Sequence, residues 1–444
     1  MNNLQNFEDR FLSQFSSIET EGICLALSGG LDSMVLLTLM HTHLSERYKM
    51  RAIHVNHNLH EKSDAWSIFC KEQCERMNID LMIKSIHPES DGFGLEANAR
   101  DQRYNVIKES LNSNETLLTA HHKDDQLETI LFRIFRGTGV DGLRGIIRFR
   151  NDGMNIIFRP LLNFSRADLE NYASIKNIAW IEDGSNEDSS FDRNYIRKYL
   201  TPKIKDRWTT ADDAVHRLSL IATENHELLN EVASEDLSEE NTFKSISISN
   251  FDSYSIPRIK NMIRYMIEKN NMPMPSMHIL NSGINDLIMN DEKSAEIKWS
   301  EYVIRRFNGR LYFLNKAEVT PCEATENISW SINQSISLSH PIGKLNTKIT
   351  EGNGISLDKC SSNLQIKFRK GGEKMFFNAD NGSKTLKDFF NEKKILPWIR
   401  DKVPLIYDDQ HLICIGDLWI NENFIATESE PAFTIHWNTK MKIL

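Results

Sequence analysis

The sequence predicts three regions of different fold class: an α/β domain with a doubly wound parallel sheet, a helical domain, and a small β-rich α+β domain. In the first half of the 444-residue chain, apolar runs typical of strands alternate with helical patterns. From Ala211 to about Lys316 the pattern is mostly helical, and after Ala317 short β-type runs alternate with turn residues. Since a domain usually holds roughly 100–200 residues, we place the domains at 1–215, 216–318 and 319–444.

Four apolar runs carry the prediction of a parallel sheet. Each is separated from the next by a stretch long enough for a crossover helix, and the runs are GICLAL, MRAIHV, IDLMIKSI and TLLTA. The acidic segment NEVASEDLSEEN, from Asn230 to Asn241, indicates a linker or an exposed loop. We expect the β-rich C-terminal domain to contain at least one helix.

Composition and charge indicate a globular protein of the cytoplasm. Hydrophobic residues make up 40% of the chain and charged residues 26%, and the longest apolar runs, such as Met34 to Met40, are too short to span a bilayer. The first ten residues are polar, which does not fit a secretory signal. The six cysteines form no C-x-x-C pair, so we expect them to be reduced and mostly buried. With a formal net charge of −9, any contact with nucleic acid must be local.

The stretch ICLALSGGLDSMVLLTL predicts a phosphate-binding loop. A strand that ends in Ser28, Gly29 and Gly30 and continues as a helix leaves backbone N–H groups at the helix N-terminus, where glycines let an anion approach. Ser33 adds a hydroxyl donor, and Asp32 lies in the first helical turn, where it is well placed to bind Mg²⁺. The alternative is a plain strand-to-helix turn with an acid that favours the helix dipole. The lysine of a P-loop is absent, which argues against kinase-like chemistry.

A second group of polar residues follows the predicted strand TLLTA. In TAHHKDDQLETILFRIF the apolar residues recur at i, i+3, i+4 and i+7 from Leu127, so a helix begins near Asp124. Asp124 and Asp125 then lie at its N-terminus, and they should face the phosphate-binding loop because the carboxyl ends of parallel strands share one crevice. His121 and His122 add functional groups at the same place. The alternative is that the two acids only cap the helix.

The C-terminal third contains a basic segment. From Asp358 to Lys402 there are eleven Lys or Arg against six Asp or Glu, a local net charge of +5 in an acidic protein. Such a segment is typical of a site that meets a polyanion. The phenylalanines interleaved with these charges are assigned to the core of a small domain rather than to base stacking: Phe368, Phe376, Phe377, Phe389 and Phe390.

Seven further motifs, together with SGGLDS, occur in the order found in one enzyme family. They are HVNHNLH, EANARDQRY, TAHHKDDQLET, RGTG, RPLL, EDGSN and RNYIR, and they lie between His54 and Arg197. In these motifs the chain resembles the tRNA(Ile)-lysidine synthetases of the N-type ATP pyrophosphatase (PP-loop) superfamily. The stretch KTLKDFFNEKKILPWIRDKVPLIYD is similar to the C-terminal domain of the full-length type. The resemblance implies adenylation of the wobble cytidine of tRNA(Ile) with a CAU anticodon at O2, followed by attack of free L-lysine at C2, giving lysidine, AMP and pyrophosphate.

The resemblance also implies roles for individual residues. The implied cofactors are ATP and Mg²⁺, with the metal on Asp32 and Asp125. The implied ATP-binding residues are Ser28, Gly29, Gly30, Leu31, Asp32, Ser33, His54 and Arg100. The implied catalytic residues are Asp32, Asp124, Asp125, Arg103 and His121. Contact with tRNA is implied for Arg193, Asn194, Arg197, Arg369, Lys370, Lys384 and Lys387.

Two of these arginines illustrate how much depends on the resemblance. Arg100 and Arg103 are three residues apart on a predicted helix, so they share a face from which guanidinium groups can clamp phosphate oxygens. Taken alone, such a pair is more typical of a solvated surface or of salt bridges to nearby acids. Arg193 and Arg197 have the same two interpretations, and contact with RNA phosphates or with the reacting nucleotide is the functional one.

The sequence departs from the family at two positions and leaves other functions open. The family commonly has Gly and Arg where this chain has Asn58 and His60. Asn tolerates a left-handed backbone, so the turn can survive, but a contact made through that arginine cannot be carried over. A related enzyme that thiolates tRNA would need paired cysteines, which the motifs lack, and a nucleotide-binding module without turnover would have little use for a second acidic cluster. The oligomeric state, including a homodimer, stays open.

Overall fold

The computed structural model divides the chain into two compact units, Met1–Leu228 and Leu229–Leu444. The domain boundaries predicted at residues 215 and 318 remain predictions. The residues that the structure describes are 2–16, 18–58, 60–87, 95–152, 155–182, 192–237, 244–249, 251–289, 295–321, 327–339, 342–376 and 383–439.

A six-stranded sheet forms the centre of the first unit. Its strands are β1 (Gly22–Ala26), β2 (Lys49–Asn56), β3 (Asp80–Ser85), β4 (Glu115–Leu118), β5 (Phe149–Asp152) and β6 (Asn155–Phe158). The order is β3-β2-β1-β4-β6-β5, and β1 pairs in parallel with both β2 and β4. The predicted doubly wound parallel sheet is confirmed. The edge strand β5 is antiparallel to β6, and this short hairpin was not predicted.

Helices cover both faces of this sheet because its central strand is apolar throughout. In β1, Ile23 and Leu25 belong to the larger core, whereas Cys24 belongs to a smaller core on the opposite face. Burying one such apolar side chain stabilises the fold by about 1.5–3 kcal/mol. The helices are α1 (Asn2–Ser13), α2 (Leu31–Leu44), α3 (Ser63–Arg76), α4 (Leu95–Glu109), α5 (Lys123–Phe135), α6 (Arg166–Lys176), α7 (Asp192–Tyr195), α8 (Thr201–Arg207) and α9 (Ala211–Asp236), the last of which continues into the second unit.

The second unit begins with the predicted helical region, which also contains a sheet that the sequence analysis missed. The helices are α10 (Ile256–Lys269), α11 (Met277–Met289) and α12 (Lys316–Val319), and the strands are β7 (Ser245–Ser247), β8 (Glu296–Trp299), β9 (Tyr302–Phe307) and β10 (Arg310–Asn315). The strands form an antiparallel sheet in the order β7-β10-β9-β8. Asn308 and Gly309 join β9 to β10 with positive φ angles of 47° and 70°. This Asn-Gly pair is a strong hairpin signal, and the helical interpretation overlooked it.

The C-terminal part of the second unit is β-rich, as predicted. Its strands are β11 (Ile328–Ser331), β12 (Ile336–Ser337), β13 (Lys344–Glu351), β14 (Ile355–Ser356), β15 (Asn363–Lys367), β16 (Lys374–Phe376), β17 (Ser383–Thr385), β18 (Leu405–Asp408), β19 (His411–Ile415), β20 (Trp419–Ile420) and β21 (Pro431–Asn438). They form two larger antiparallel sheets and the β16–β17 hairpin, beside helix α13 (Leu386–Glu392). Phe368, Phe389 and Phe390 lie in the core, whereas Phe377 and the side chain of Phe376 lie outside the described residues.

The cysteines of the described residues are free thiols. Cys24, Cys70, Cys74 and Cys414 are buried and Cys360 is half-buried, while Cys322 lies outside the described residues. Within the described ranges, no helix is both long enough and apolar enough to cross a bilayer.

Candidate active site

The loop between β1 and α2 needs glycine for two reasons. Gly29 adopts a φ of +84°, a left-handed conformation that strains a residue with a side chain. A Cβ added at Gly29 would also lie 2.8 Å from Ile181 Cδ1 and 3.0 Å from Cys70 Sγ. Gly30 is the N-cap of α2, and the next residue, Leu31, begins the helix, so the first-turn N–H groups lie at this loop. The loop therefore offers the backbone donors that an anion requires.

Two serine hydroxyls fix the shape of this loop. Ser33 Oγ accepts a hydrogen bond from the Gly29 N–H at 3.1 Å and donates one to Gly30 O at 3.0 Å. Ser28 Oγ lies 3.0 Å from Ser33 Oγ. Ser33 is buried and Ser28 is exposed, so Ser33 supports the loop from behind while Ser28 can meet a ligand.

His122 joins the phosphate-binding loop to the N-terminus of α5. Its Nε2 lies 3.5 Å from Oδ2 of Asp32 and 3.5 Å from Oδ2 of Asp125. The His122 backbone N–H also donates to Asp125 Oδ2 at 3.1 Å. Burial lowers the pKa of His122, but the charges of Asp125, Asp32 and Asp124 outweigh burial and raise the pKa to about 9. His122 is therefore an imidazolium at neutral pH, and it holds the two carboxylates close together.

His121 lies at the surface of the cavity and is neutral. Burial lowers its pKa to about 3, and nearby arginines act in the same direction against the opposing charge of Asp125. His121 Nδ1 lies 2.9 Å from Thr119 Oγ1. The nitrogen left for a substrate is therefore Nε2, on a ring that stays unprotonated across the physiological pH range.

Asp124 and Asp125 are neighbours in sequence but face different parts of the molecule. Asp124 Oδ1 lies 2.5 Å from Lys205 Nζ in α8, and its Oδ2 accepts a hydrogen bond from the Arg166 N–H at 2.9 Å. Burial raises the pKa of Asp124, but these two donors outweigh burial and lower it. Asp125 lines the cavity and Asp124 does not. Asp124 thus links α5 to α6 through the Arg166 N–H and to α8 through Lys205.

Arg197 forms ion pairs with two carboxylates of α5. Its Nη2 lies 3.1 Å from Asp125 Oδ1 and 2.7 Å from Glu128 Oε2, and its Nε lies 2.9 Å from Glu128 Oε1. Arg193 Nη2 lies 3.9 Å from Asp125 Oδ1. Burial raises the pKa of Glu128, and Arg197 opposes that effect. Sequence reasoning assigned no role to Glu128; the available signal was a carboxylate three residues after Asp125 on the same helix face.

The remaining predicted ligands approach the cavity from α4 and β2. Arg100 and Arg103 lie with their guanidinium carbons 5.4 and 5.7 Å from the centre of the Tyr104 ring. Burial lowers the pKa of Arg103, and the positive charge of Arg100 lowers it further. His54 is buried and its Nδ1 lies 2.9 Å from Leu27 O at the end of β1, so it supports the start of the loop. Two positive charges that face one cavity favour an anionic ligand.

A cavity of about 500 Å³ collects these groups at the carboxyl ends of β1, β2 and β4. The predicted site residues that line it are Ser28, Asp32, Ser33, His54, Arg100, Arg103, His121, Asp125, Arg193, Asn194 and Arg197. Gly29, Gly30 and Leu31 contribute the loop backbone beside it. The predicted tRNA-binding residues Arg369, Lys370, Lys384 and Lys387 lie in the second unit.

Comparison with known proteins identifies the family. A model of the PP-loop domain matches residues 3–204, a model of the TilS substrate binding domain matches residues 246–312, and a model of the TilS substrate C-terminal domain matches residues 364–437. The tRNA(Ile)-lysidine synthase of Coxiella burnetii is 32% identical over 98% of this chain and 95% of its own length. The enzyme of that name from Haemophilus influenzae (strain PittEE) is 33% identical over 89% of this chain and 94% of its own length. The chain belongs to the tRNA(Ile)-lysidine synthase family.

The two departures from the synthase pattern have visible structural consequences. Asn58 adopts a φ of 52°, so it takes the left-handed conformation for which the family commonly uses Gly. Its N–H donates to Asn56 Oδ1 at 2.9 Å, which stabilises the turn. The His60 ring stacks on Trp66 with the ring centres 5.1 Å apart, and both residues line the cavity. His60 thus presents an imidazole ring to the cavity at this position.

The donor set of this synthase fits Mg²⁺ at Asp32. Asp32 Oδ1 is buried and has no hydrogen-bond partner among the described residues, so it is a free carboxylate oxygen at the phosphate-binding loop. Both oxygens of Asp125 already have cationic or N–H partners. Over the described ranges there is no group of three or more His, Cys, Asp or Glu side chains placed to hold a metal ion. A single unpaired carboxylate oxygen beside a phosphate-binding loop fits Mg²⁺, which commonly takes one or two carboxylates together with substrate phosphates.

Proposed function

We propose that this protein ligates lysine to C2 of the wobble cytidine of a CAU-anticodon tRNA(Ile) through an adenylated cytidine intermediate. ATP would be converted to AMP and pyrophosphate, and the lysidine formed would pair with A instead of G, so that the tRNA decodes AUA. One observation carries the proposal: the phosphate-binding loop, the unpaired Asp32 oxygen and the neutral His121 all lie at the same cavity. The family to which the chain belongs supports the same reaction.

In the first step, cytidine O2 attacks the α-phosphorus of ATP, an O–P bond forms, and pyrophosphate leaves. The N–H groups at the start of α2 and the Ser28 hydroxyl would bind the pyrophosphate oxygens. Arg100 and Arg103 would add positive charge where the leaving group gains negative charge. Mg²⁺, held by Asp32 and by substrate oxygens, would supply further charge neutralisation. The protein thus acts mainly by positioning and electrostatics.

In the second step, the amine of lysine attacks C2, and the C2–O bond to AMP breaks. The attacking ammonium must first lose a proton. His122 is already protonated, and Asp125 is held by His122 and Arg197, so neither is the best acceptor. We assign this role to His121, which lines the cavity and whose Nε2 is the ring nitrogen not paired with Thr119; bound phosphates would raise its proton affinity.

The basic segment of the second unit would bind the body of the tRNA. Lys370 and Lys387 are exposed, so their ammonium groups are open to RNA phosphates. Lys384 contacts Glu392, and Arg369 Nε lies 3.9 Å from Glu373 Oε2, so these two cations are partly neutralised. We expect Lys370 and Lys387 to matter more for tRNA binding. Acting on tRNA would fit a protein of the cytoplasm.

The test is an assay with ATP, Mg²⁺, labelled lysine and unmodified tRNA(Ile) bearing the CAU anticodon. We expect label on the RNA together with equal amounts of AMP and pyrophosphate, and no label when the wobble C is replaced. Release of AMP and pyrophosphate without lysine incorporation would contradict the proposed nucleophile and favour tRNA thiolation. Against thiolation, the described cysteine nearest the loop, Cys70, is buried, and burial raises the pKa of its thiol to about 12.

A further inference from the structure

The helix that carries Arg193 and Arg197 has a second, exposed face. Helix α7, a π-helical turn (Ile196–Leu200) and α8 follow one another without a break from residue 192 to residue 207. One side of this run lines the cavity with Arg193, Asn194 and Arg197. The other side carries Tyr195, Tyr199, Lys203 and Arg207, all exposed and each four residues after the last, and Trp208 follows at the helix end. We call these five residues the outer stripe.

The aromatic members of the outer stripe are unusually open to solvent. The exposed fraction is 49% for Tyr195, 39% for Tyr199 and 63% for Trp208. The rings of Tyr195 and Tyr199 lie 5.0 Å apart at an angle of 47°, and the Lys198 ammonium lies 5.8 Å from the Tyr199 ring centre. Large aromatic rings that are neither buried in a core nor scattered singly indicate a binding surface.

The charges around these rings favour a nucleic acid as the partner. Lys198, Lys203 and Arg207 are exposed on this run, in a chain with a net charge of −9. The other three cations of the run, Arg193, Arg197 and Lys205, are paired with carboxylates of the site. Exposed aromatic rings interleaved with basic side chains are typical of surfaces that stack unpaired bases and hold the phosphates between them. A second copy of this acidic chain would also complement a basic face, so it is one outcome of the binding test below.

The position of the outer stripe indicates which bases it would meet. At 1.5 Å per residue, the run from Tyr195 to Arg207 is about 18 Å long, enough for several stacked bases. Its inner face lines the cavity that the target cytidine would enter. We infer that Tyr195, Tyr199 and Trp208 stack unpaired bases of the anticodon loop, while Lys203 and Arg207 hold the adjacent phosphates. This inference rests on the proposed function, because it takes the wobble cytidine as the base that enters the cavity.

The outer stripe would act on binding and not on chemistry. Unpaired bases are recognised in RNA by being splayed out and stacked on aromatic side chains. Stacking the neighbours of the wobble cytidine would hold the loop open beside the cavity, so the target base is presented without being contacted by the stripe itself. The tyrosines and the tryptophan are therefore positioning residues, and their loss should raise the KM for tRNA while kcat changes little.

The kinetic test uses the full chain. We expect the double variant Tyr195→Ala/Tyr199→Ala and the single variant Trp208→Ala each to raise the KM for tRNA about tenfold, with kcat within about twofold of wild type. Tyr195→Phe/Tyr199→Phe should retain the wild-type KM because Phe keeps the stacking ring. Matched controls are Ile68→Ala and Ile175→Ala, which remove apolar side chains that are 58% and 50% exposed elsewhere on the first unit. An unchanged KM in the alanine variants would overturn the inference.

A binding test separates this inference from the proposed function. Fluorescence anisotropy would compare a labelled anticodon stem-loop RNA with the same stem as a blunt duplex. We expect the alanine variants to lose about tenfold in affinity for the stem-loop and none for the duplex. Equal losses for both RNAs would overturn base stacking. If an alanine variant were monomeric where the wild type is a dimer, the outer stripe would be assigned to contact with a second copy of the chain. If the wild type bound the stem-loop in this way but formed no lysidine, only the proposed function would fail.

Discussion

The two walls of the cavity are built by different means. On the side of β1 and α2, the site is shaped by the backbone, with Gly29 in a left-handed conformation and Ser33 bonded to the loop. On the side of α5 and the π-helical turn that follows α7, the site is shaped by charge, because Arg197 joins Asp125 to Glu128. We call these the backbone wall and the charged wall. Activity should fall when a side-chain atom is added to the backbone wall, or when a charge is removed from the charged wall. Asp32 lies where the two walls meet.

Asp32→Asn should have the largest effect because it removes the charge that both walls share. The variant keeps the size of the side chain but loses the anionic oxygen that fits Mg²⁺, and it loses a partner of His122. We expect tRNA-dependent release of pyrophosphate to fall by about 10³-fold or more, a size typical of lost transition-state electrostatics. Asp9→Asn, at an exposed carboxylate of α1, is the control. Wild-type pyrophosphate release by Asp32→Asn would contradict the metal assignment.

The charged wall should also show a characteristic dependence of stability on pH. The pKa of His122 is raised from an ordinary value of 6.5 to about 9 in the folded protein. Its imidazolium therefore stabilises the fold fully below pH 6.5, and this contribution of about 3 kcal/mol is lost as the pH rises through 9. Chemical unfolding in EDTA between pH 6 and 10 measures it. His122→Asn should remove that part of the pH dependence, whereas the control His41→Asn, at an exposed position, should retain it. If the free energy of unfolding varied with pH in the same way for the wild type and both variants, the prediction would be wrong.

Glu128→Gln tests whether the charged wall positions Arg197. Gln keeps the shape and one acceptor oxygen but loses the charge that holds both guanidinium nitrogens. We expect kcat/KM for the ligation to fall by about 10- to 100-fold, close to 2 kcal/mol, since hydrogen bonds to charged groups are worth about 1.5–3 kcal/mol. Arg197→Lys should have a similar effect, and the double variant should be little worse than either single one. Fully additive losses would mean that the two residues act separately.

The same contrast explains how much of the site the sequence could predict. The phosphate-binding loop is local: Ser28 to Ser33 hold its glycines, its hydroxyls and its carboxylate, so the order of residues was enough. The charged wall depends on which way each side chain points. In the sequence, Asp124 and Asp125 are indistinguishable acids at a helix N-terminus. In the structure, Asp124 pairs with Lys205, which is 81 residues away, and does not line the cavity. No local pattern contains that contact, and the same is true of the pairing between Glu128 and Arg197.

The fold shows the same limit at a larger scale. The parallel sheet was predictable because its central strands contain apolar runs that are buried on both faces and alternate with helical patterns. The sheet β7-β10-β9-β8 was missed because β7 is short and the other three strands follow two helices, so the helical pattern dominated. Asn308 and Gly309 were a local mark of its hairpin that sequence reasoning could have used.

Gly29→Ala should have the smallest effect of the four changes predicted here. It separates the cost of a left-handed φ from the cost of the steric contacts that an added Cβ makes. The left-handed φ costs a residue with a side chain about 1–2 kcal/mol, and the new Cβ would also approach Ile181 Cδ1. We expect the KM for ATP to rise about tenfold while tRNA binding stays unchanged. Adding Ile181→Val removes the Cδ1 atom, so the double variant should recover the part due to that contact but not the parts due to φ and to Cys70 Sγ. Ile181→Val alone serves as the control, and full recovery in the double variant would mean that the loop can move out of its left-handed conformation at no cost.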